Sequence, residues 1–419
     1  MLIENDILII DFVWAISEAV DLISPILNNH HNKVTYIATS IAQEMGLPNR
    51  EIHNIMLASM LHDIGVFSKE EWVKLLSFED EDKGLDHHAI VGYELLKDFE
   101  PLSRAAELIR YHHERYIASV DYIPVGSYII HLADRLAILF DREREGLDQA
   151  PEMMSAIHAQ RDAFHPDALA VLDKLAKMEY FWIEAFSSEI TSSVLRRIHL
   201  SREIIDMETL RDFAKTLAQI IDFRNRFTST HSSGVAAVAM ELSKLSGFSD
   251  RECKMMEIAG FLHDLGKLSV PNEILEKNGA LSDTEFNIVR KHTYYTYAIL
   301  NKIRGLEHIA VWAAHHHERP DGNGYPFHVK GGDFSKLSRI MAVADVVTAL
   351  TEDRPYRSGM NKDRAKNVLQ NMVNSGGLDS SIVELANKNF LHINEVRKNA
   401  QQEARKEYDS FHASTLTIT

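Results

Sequence analysis

Apolar residues return every third or fourth position along most of this chain, the spacing that lines one face of an α-helix. Val34, Ile37 and Ile41 form one such stripe, and Val235, Val238, Leu242 and Leu245 form another. Gly46 and Gly247 follow these runs, where a helix needs a residue that can stop it. The two-residue alternation of a half-buried strand is scarce, so the pattern predicts an all-α protein of two stacked bundles. A further stripe, Leu210, Phe213, Leu217, Ile220 and Ile221, predicts an amphipathic helix whose apolar face docks on its own domain or pairs two subunits. No apolar run approaches the ~20 residues that cross a bilayer, so no membrane partner is expected.

The pattern also repeats. His30 and His62 are 32 residues apart, as are His231 and His263; His88 and His112 are 24 apart, as are His292 and His316. Each copy carries a His-Asp-x-Gly turn after an apolar run, a His-His-Glu-Arg run, and an Ala-Asp doublet ending in Asp134 or Asp345. Chance similarity of helical segments does not reproduce both spacings and both doublets, so the chain reads as an internal duplication. The copies also differ. From the second histidine of the pair to the last aspartate there are 21 residues in the first copy and 28 in the second, and the extra length is a Gly-rich loop at Asp321–Pro326. Val66 stands in the first copy where the second has Lys267.

A histidine beside an aspartate in so apolar a setting needs a partner, because an unpaired buried charge is costly. One such doublet alone is more often a satisfied pair inside a helical core. Here, however, several histidines and two aspartates recur together, enough nitrogen and oxygen donors for two metals. Histidines 31, 87 and 315 adjoin the chosen ones, so the ligand at each doublet is open by one position.

Composition narrows the classes. A formal charge of −16 lacks the basic stripe of an extended nucleic-acid surface, so an anionic substrate must be met locally. The single cysteine, Cys253, excludes an internal disulfide and fits a reducing cytoplasm. Glu4, Asp6 and Asp11 near the start read poorly as a signal peptide. The serine-rich stretch Ser187–Ser193 marks a boundary, giving domains at 1–190 and 223–400, a helical linker at 191–222, and a charged, flexible tail at 401–419.

His263-Asp264, His316-His317-Glu318-Arg319 and Asp321-Gly322-Asn323-Gly324-Tyr325-Pro326 together resemble the signature of the HD-GYP phosphodiesterases, in order over residues 200 to 400. The resemblance implies two HD-superfamily bundles in tandem, the first a degenerate HD domain with a regulatory role. It implies a metal-dependent enzyme that opens cyclic di-GMP or 3',3'-cyclic GMP-AMP to the linear dinucleotide, metal-activated hydroxide attacking phosphorus. By the same resemblance His231, His263, Asp264, His292, His316, His317 and Asp345 hold two divalent ions, iron or manganese foremost, with zinc, nickel or cobalt also admissible.

Asp264 is then the catalytic bridge, and Lys267 meets a phosphate oxygen and acts in catalysis. Asp321, Gly322, Tyr325, Arg354 and Arg357 bind substrate, and Arg319 either does so too or pairs with an acid to orient a ligand. Some family members carry a glutamate four residues before the first histidine, where a third metal binds; Phe227 here favours two. Val347-Thr348-Ala349 departs from the family's Phe-Asp-Ala, which bears on groups around the ligands rather than on the ligands. In the first domain His30, His62, Asp63, His88, His112, His113 and Asp134 are candidate ligands for a metal of its own. Two other readings stand beside the enzyme: a signalling scaffold that binds nucleotide without turnover, and an HD-superfamily nucleotide phosphohydrolase.

Overall fold

The computed structural model describes residues 7–22, 29–66, 86–120, 122–141, 143–187, 203–223, 230–277, 279–353 and 358–416. The architecture is all-α, as the periodicity predicts. Its described sheet is one antiparallel pair, β1 (Ile7–Leu8) against β2 (Ile204–Ile205), with Ile7 opposite Ile205. The chain forms two compact units, one of Met1–Asp11 with Ile204–Ala413 and one of Phe12–Glu203 with Ser414–Thr419.

In order, the N-terminal helices are α1 (Ile9–Asp21), α2 (His30–Glu44), α3 (Asn49–Leu61), α4 (Asp86–Leu96), α5 (Ser103–Arg110), α6 (Val125–Ile138), α7 (Gly146–Ala159), α8 (Pro166–Leu175) and α9 (Glu179–Phe186). The C-terminal set is α10 (Met207–Phe223), α11 (His231–Leu245), α12 (Asp250–Leu262), α13 (Asn272–Leu275), α14 (Asp283–Leu300), α15 (Glu307–Ala314), α16 (Lys336–Thr351), α17 (Lys362–Asn374), α18 (Ser380–Lys388) and α19 (Phe390–Leu416).

Each unit is built on a central helix packed between two others: α2 against α3 and α6, and α11 against α12 and α16. Val34, Ile37 and Ile41 are buried in the first core, and Val235, Val238 and Leu242 in the second. Each such side chain contributes roughly 1.5–3 kcal/mol on burial. Starts are set by local chemistry too. Ser249 and Glu252 form a reciprocal capping box at α12, and Ser282 and Glu285 another at α14.

The apolar stripe from Leu210 to Ile221 is buried and α10 packs on α12, so that face is covered by its own unit. It is not available to pair subunits. The C-terminal stretch expected to be flexible from residue 401 continues α19 to Leu416. Its order has a physical source: Ala404 is buried, and Glu407 accepts from Lys215 Nζ at 2.6 Å and Gln219 Nε2 at 2.9 Å on α10. The expected boundary at residue 190 lies outside the described residues.

Candidate metal centre

α12 ends at Leu262 because the chain turns there into a short 3-10 segment, Leu265–Ser269. Gly266 makes the turn possible. A Cβ on it would lie 1.9 Å from the carbonyl oxygen of His292, so only glycine lets α14 press against the turn. Thr296 fastens the contact, accepting from Gly266 N at 2.9 Å and donating to the His263 carbonyl at 3.1 Å. His263 and Asp264 thus meet His292 at one place. α16 brings Asp345, α11 begins at His231, and a 3-10 turn, His315–His317, follows α15.

The two oxygens of Asp264 face different histidines. Oδ2 is 3.1 Å from His263 Nε2, while Oδ1 is 3.5 Å from His292 Nε2 and 3.9 Å from His316 Nε2. His231 Nε2 lies 3.3 Å from Asp345 Oδ1. Donor atoms of His231, His263 and Asp264 gather within 4.8 Å of one another, and those of His292, His316 and His317 do the same. Every residue of the expected ligand set therefore reaches one buried locus, with its two halves on either side of Asp264.

Tautomers follow from the other ring nitrogen. Nδ1 of His263, His292 and His316 sits 2.8, 2.6 and 2.7 Å from the carbonyls of Gly260, Val289 and Ala313. A carbonyl only accepts, so each Nδ1 carries the proton and each Nε2 presents a lone pair. The Nε2 atoms of His292 and His316 then face each other at 3.1 Å with no proton between them. Burial pushes His292 down to about 3 and His316 well below the usual imidazole range, so neither ring relieves the clash by charging. Two facing lone pairs need a cation. Donors bound to one ion at ~2.1 Å lie roughly 3–4 Å apart, and the distances here fit that spacing.

Three residues that sequence reasoning passed over support the centre. Glu352 Oε2 accepts from His231 Nδ1 at 3.0 Å, aligning that ring as a carboxylate aligns a metal-bound histidine. Its signal was position, seven residues after Asp345 and directly past the end of α16. Burial works against a charged His231, but Glu352 and Asp345 outweigh it and hold the imidazole up at about 10. Asp222 accepts from Ser232 N at 3.1 Å and Ser232 Oγ at 3.0 Å, fixing the start of α11. The buried Glu318 accepts from the backbone N–H groups of Phe327, His328 and Val329 at 2.6, 3.1 and 3.2 Å, folding the Gly-rich loop back on the histidines.

That loop is held closely. Gly322 has φ +76°, and a Cβ on Gly324 would lie 2.4 Å from Glu318 Cα. Tyr325 N donates to the His317 carbonyl at 3.2 Å, and its ring centroid lies 5.0 Å from that of His317. Burial pushes the Tyr325 hydroxyl up, so it stays a phenol. Arg319 and Asp321, expected to meet substrate, meet each other at 2.9 Å, and Arg319 also donates to the Ser375 carbonyl at 3.0 Å. They brace the loop. Lys267 Nζ lies 2.6 Å from Asp264 Oδ2; burial alone would lower its pKa, but the Asp264 charge raises it, and the side chain remains partly exposed. Arg354, Arg357 and Phe227 lie outside the described residues.

The N-terminal unit repeats this geometry. Asp63 Oδ2 is 2.9 Å from His62 Nε2, and Oδ1 is 3.3 Å from His88 Nε2 and 4.0 Å from His112 Nε2. His30 Nε2 is 3.1 Å from Asp134 Oδ1, matching His231 with Asp345. The open doublets resolve differently: His87 is exposed, His315 packs against Phe327 and Phe334, and His31 turns inward.

Comparison with known proteins agrees with this duplication. A family model described as an HD domain matches residues 215–382, and a second HD-domain model matches residues 28–139. Over 390 residues, 90% of each chain, the protein is 31% identical to 3'3'-cGAMP-specific phosphodiesterase 1 of Vibrio cholerae. It is 30% identical to a cyclic di-GMP phosphodiesterase of Thermotoga maritima over 46% of this chain and 53% of that one. A crystal structure of a cyclic GMP-AMP specific phosphodiesterase of V. cholerae superposes over 91% of this chain and 97% of that one, with TM-score 0.63 and 21% identity, a likeness of fold.

Proposed function

The chain belongs to the HD-domain family as a tandem HD and HD-GYP protein, and we propose that its C-terminal unit hydrolyses a cyclic dinucleotide to the linear dinucleotide. The observation that carries this reading is the position of Asp264, one oxygen toward each of two histidine sets and Lys267 against the first. The donors fit two divalent ions, which His231, His263 and Asp345 on one side and His292, His316 and His317 on the other would hold, with Asp264 between them. When bound, such a pair activates a water near neutral pH and neutralises charge on the phosphate oxygens. Iron or manganese suits a set of neutral imidazoles and carboxylates.

The chain's own residues do the rest. Neutral imidazoles hold cations without cancelling their charge, so the locus stays attractive to a phosphodiester. Lys267 meets a non-bridging oxygen from beside Asp264. Tyr325, kept protonated, donates a hydrogen bond from the loop that Glu318, Arg319 and Asp321 hold in place, and Gly322 and Gly324 let that loop approach.

The relative matched along nine-tenths of the chain is named for 3'3'-cGAMP, which favours 3',3'-cyclic GMP-AMP over cyclic di-GMP as substrate. The test is to incubate purified protein with each cyclic dinucleotide and with a nucleoside triphosphate, separating products by chromatography. Linear dinucleotide forms from cyclic GMP-AMP faster than from cyclic di-GMP. Preferential attack on the triphosphate would establish the phosphohydrolase instead, and binding without product would establish the scaffold.

A further inference from the structure

His31 has no counterpart in the C-terminal unit. From Asp21 to Val66 the first copy corresponds to the second at one fixed offset, so that His30 matches His231, Asp63 matches Asp264, and His31 matches Ser232. Asp222 binds Ser232 in the C-terminal unit; at the matching place Asp21 binds His31 through Nδ1. A carboxylate beside Nδ1 draws the ring proton to that side and leaves Nε2 as a donor of electron density. That Nε2 lies 3.8 Å from Asp63 Oδ2, beyond hydrogen-bond reach and within the spacing of two donors on one ion. Donor atoms of His31, His62 and Asp63 gather within 4.8 Å, as do those of His30, His62 and Asp134.

The other half of the cluster is equally built. His88 Nε2 is 3.3 Å from His112 Nε2 and 3.0 Å from His113 Nε2. Nδ1 of His112 donates to the Ile109 carbonyl at 2.7 Å, and Nδ1 of His62 to the Ser59 carbonyl at 2.8 Å. Their Nε2 atoms point inward. His88, His112 and His113 turn Nε2 atoms on one another in an apolar core, an arrangement that a bound cation relieves.

We infer that the N-terminal unit holds a two-metal centre of its own, in which His31, aligned by Asp21, supplies a nitrogen donor that the C-terminal centre lacks. On the first ion, His30, His31, His62, Asp63 and Asp134 make five protein donors, where the C-terminal unit offers His231, His263, Asp264 and Asp345. The added imidazole takes up a coordination position that an open catalytic site leaves to water or substrate. Val66 replaces the lysine beside the shared carboxylate, and Arg135 pairs with Asp134 Oδ2 at 2.8 Å. The first ion is therefore held by one more protein donor than its C-terminal counterpart and is retained the more tightly.

Metal analysis of the full-length protein tests this apart from any activity. In a chain carrying Asp264→Ala with His316→Ala, which removes the shared carboxylate and a ligand of the C-terminal centre, about two manganese ions per chain survive extensive dialysis. Adding His31→Ser weakens the retained metal by roughly 10-fold or more in a chelator competition. Serine is the residue the C-terminal unit carries there, and it keeps a partner for Asp21, so the fold is preserved and far-ultraviolet circular dichroism checks it. Loss of all tightly held metal from the first chain, or unchanged affinity in the second, overturns the inference.

Discussion

The N-terminal and C-terminal bundles place the same residue types at the same distances around a shared carboxylate, and differ in what stands next to it. Asp264 has Lys267 at 2.6 Å, whereas Asp63 has Val66 at the matching position and faces the extra imidazole of His31. The C-terminal bundle adds a Gly-rich loop pinned to Glu318 and laid against His317. Metal donors are thus the common inheritance of both bundles. A lysine paired with the shared carboxylate and a Gly-rich loop distinguish the C-terminal one, to which the proposed turnover is assigned. A metal-holding cluster and an active site are not the same object: the second needs an open position and groups aimed at charge that develops during reaction.

The sharpest break in the comparison is to remove the shared carboxylate from each bundle separately. Asp264→Ala takes cyclic-dinucleotide hydrolysis to background with helical content intact by circular dichroism, while Asp63→Ala retains turnover of the same order as the parent. Equal loss in both would mean that the bundles share the reaction. Lys267→Ala, which gives the C-terminal bundle a small apolar side chain where the N-terminal one has valine, lowers kcat about 100-fold through lost charge stabilisation. A change confined to KM would place the lysine in binding alone.

Glu352→Gln sharpens the comparison further, because it loosens His231 without touching a ligand. Metal affinity falls roughly 10-fold, excess metal restores activity, and isothermal titration reads the difference. His231 also sets a pH dependence. With its pKa raised to about 10, the metal-free imidazole is protonated through neutral pH, and an incoming cation must displace that proton. Apparent affinity therefore rises as pH increases from 6 toward 10, and Glu352→Gln flattens the rise. The smallest effect belongs to Gly324→Ala, which pushes the loop off Glu318 and raises KM about threefold to tenfold, with metal content unchanged.

Much of this was legible in the chain. Helical periodicity gave the class, and the equal spacings of His30 to His62 and His231 to His263 exposed the duplication before any fold was known. Spacing and resemblance pick out the seven C-terminal candidate ligands, and the fold brings their side chains together. What escaped was everything held by contacts between distant segments. For Arg319 the sequence left open a substrate contact or a pairing with an acid; its guanidinium meets Asp321 and also the Ser375 carbonyl, a partner 56 residues away that no local pattern announces. The stretch after residue 400 reads as a charged helix fading into a tail; the helix runs to Leu416, and the contact by which Glu407 ties it to α10 is not visible in the sequence.

The doublets show where the division falls. Each of the histidine pairs at 30–31 and 87–88, and the triplet at 315–317, offers adjacent imidazoles of identical chemistry, and successive helical side chains point about 100° apart. Periodicity and composition determine that helices form, where they stop, and which residue types are available to hold a cation. Which imidazole faces the cation depends on what packs against each ring: Asp21 for His31, open solvent for His87, two phenylalanines for His315. Those neighbours come from other elements, so only the folded chain could choose among them.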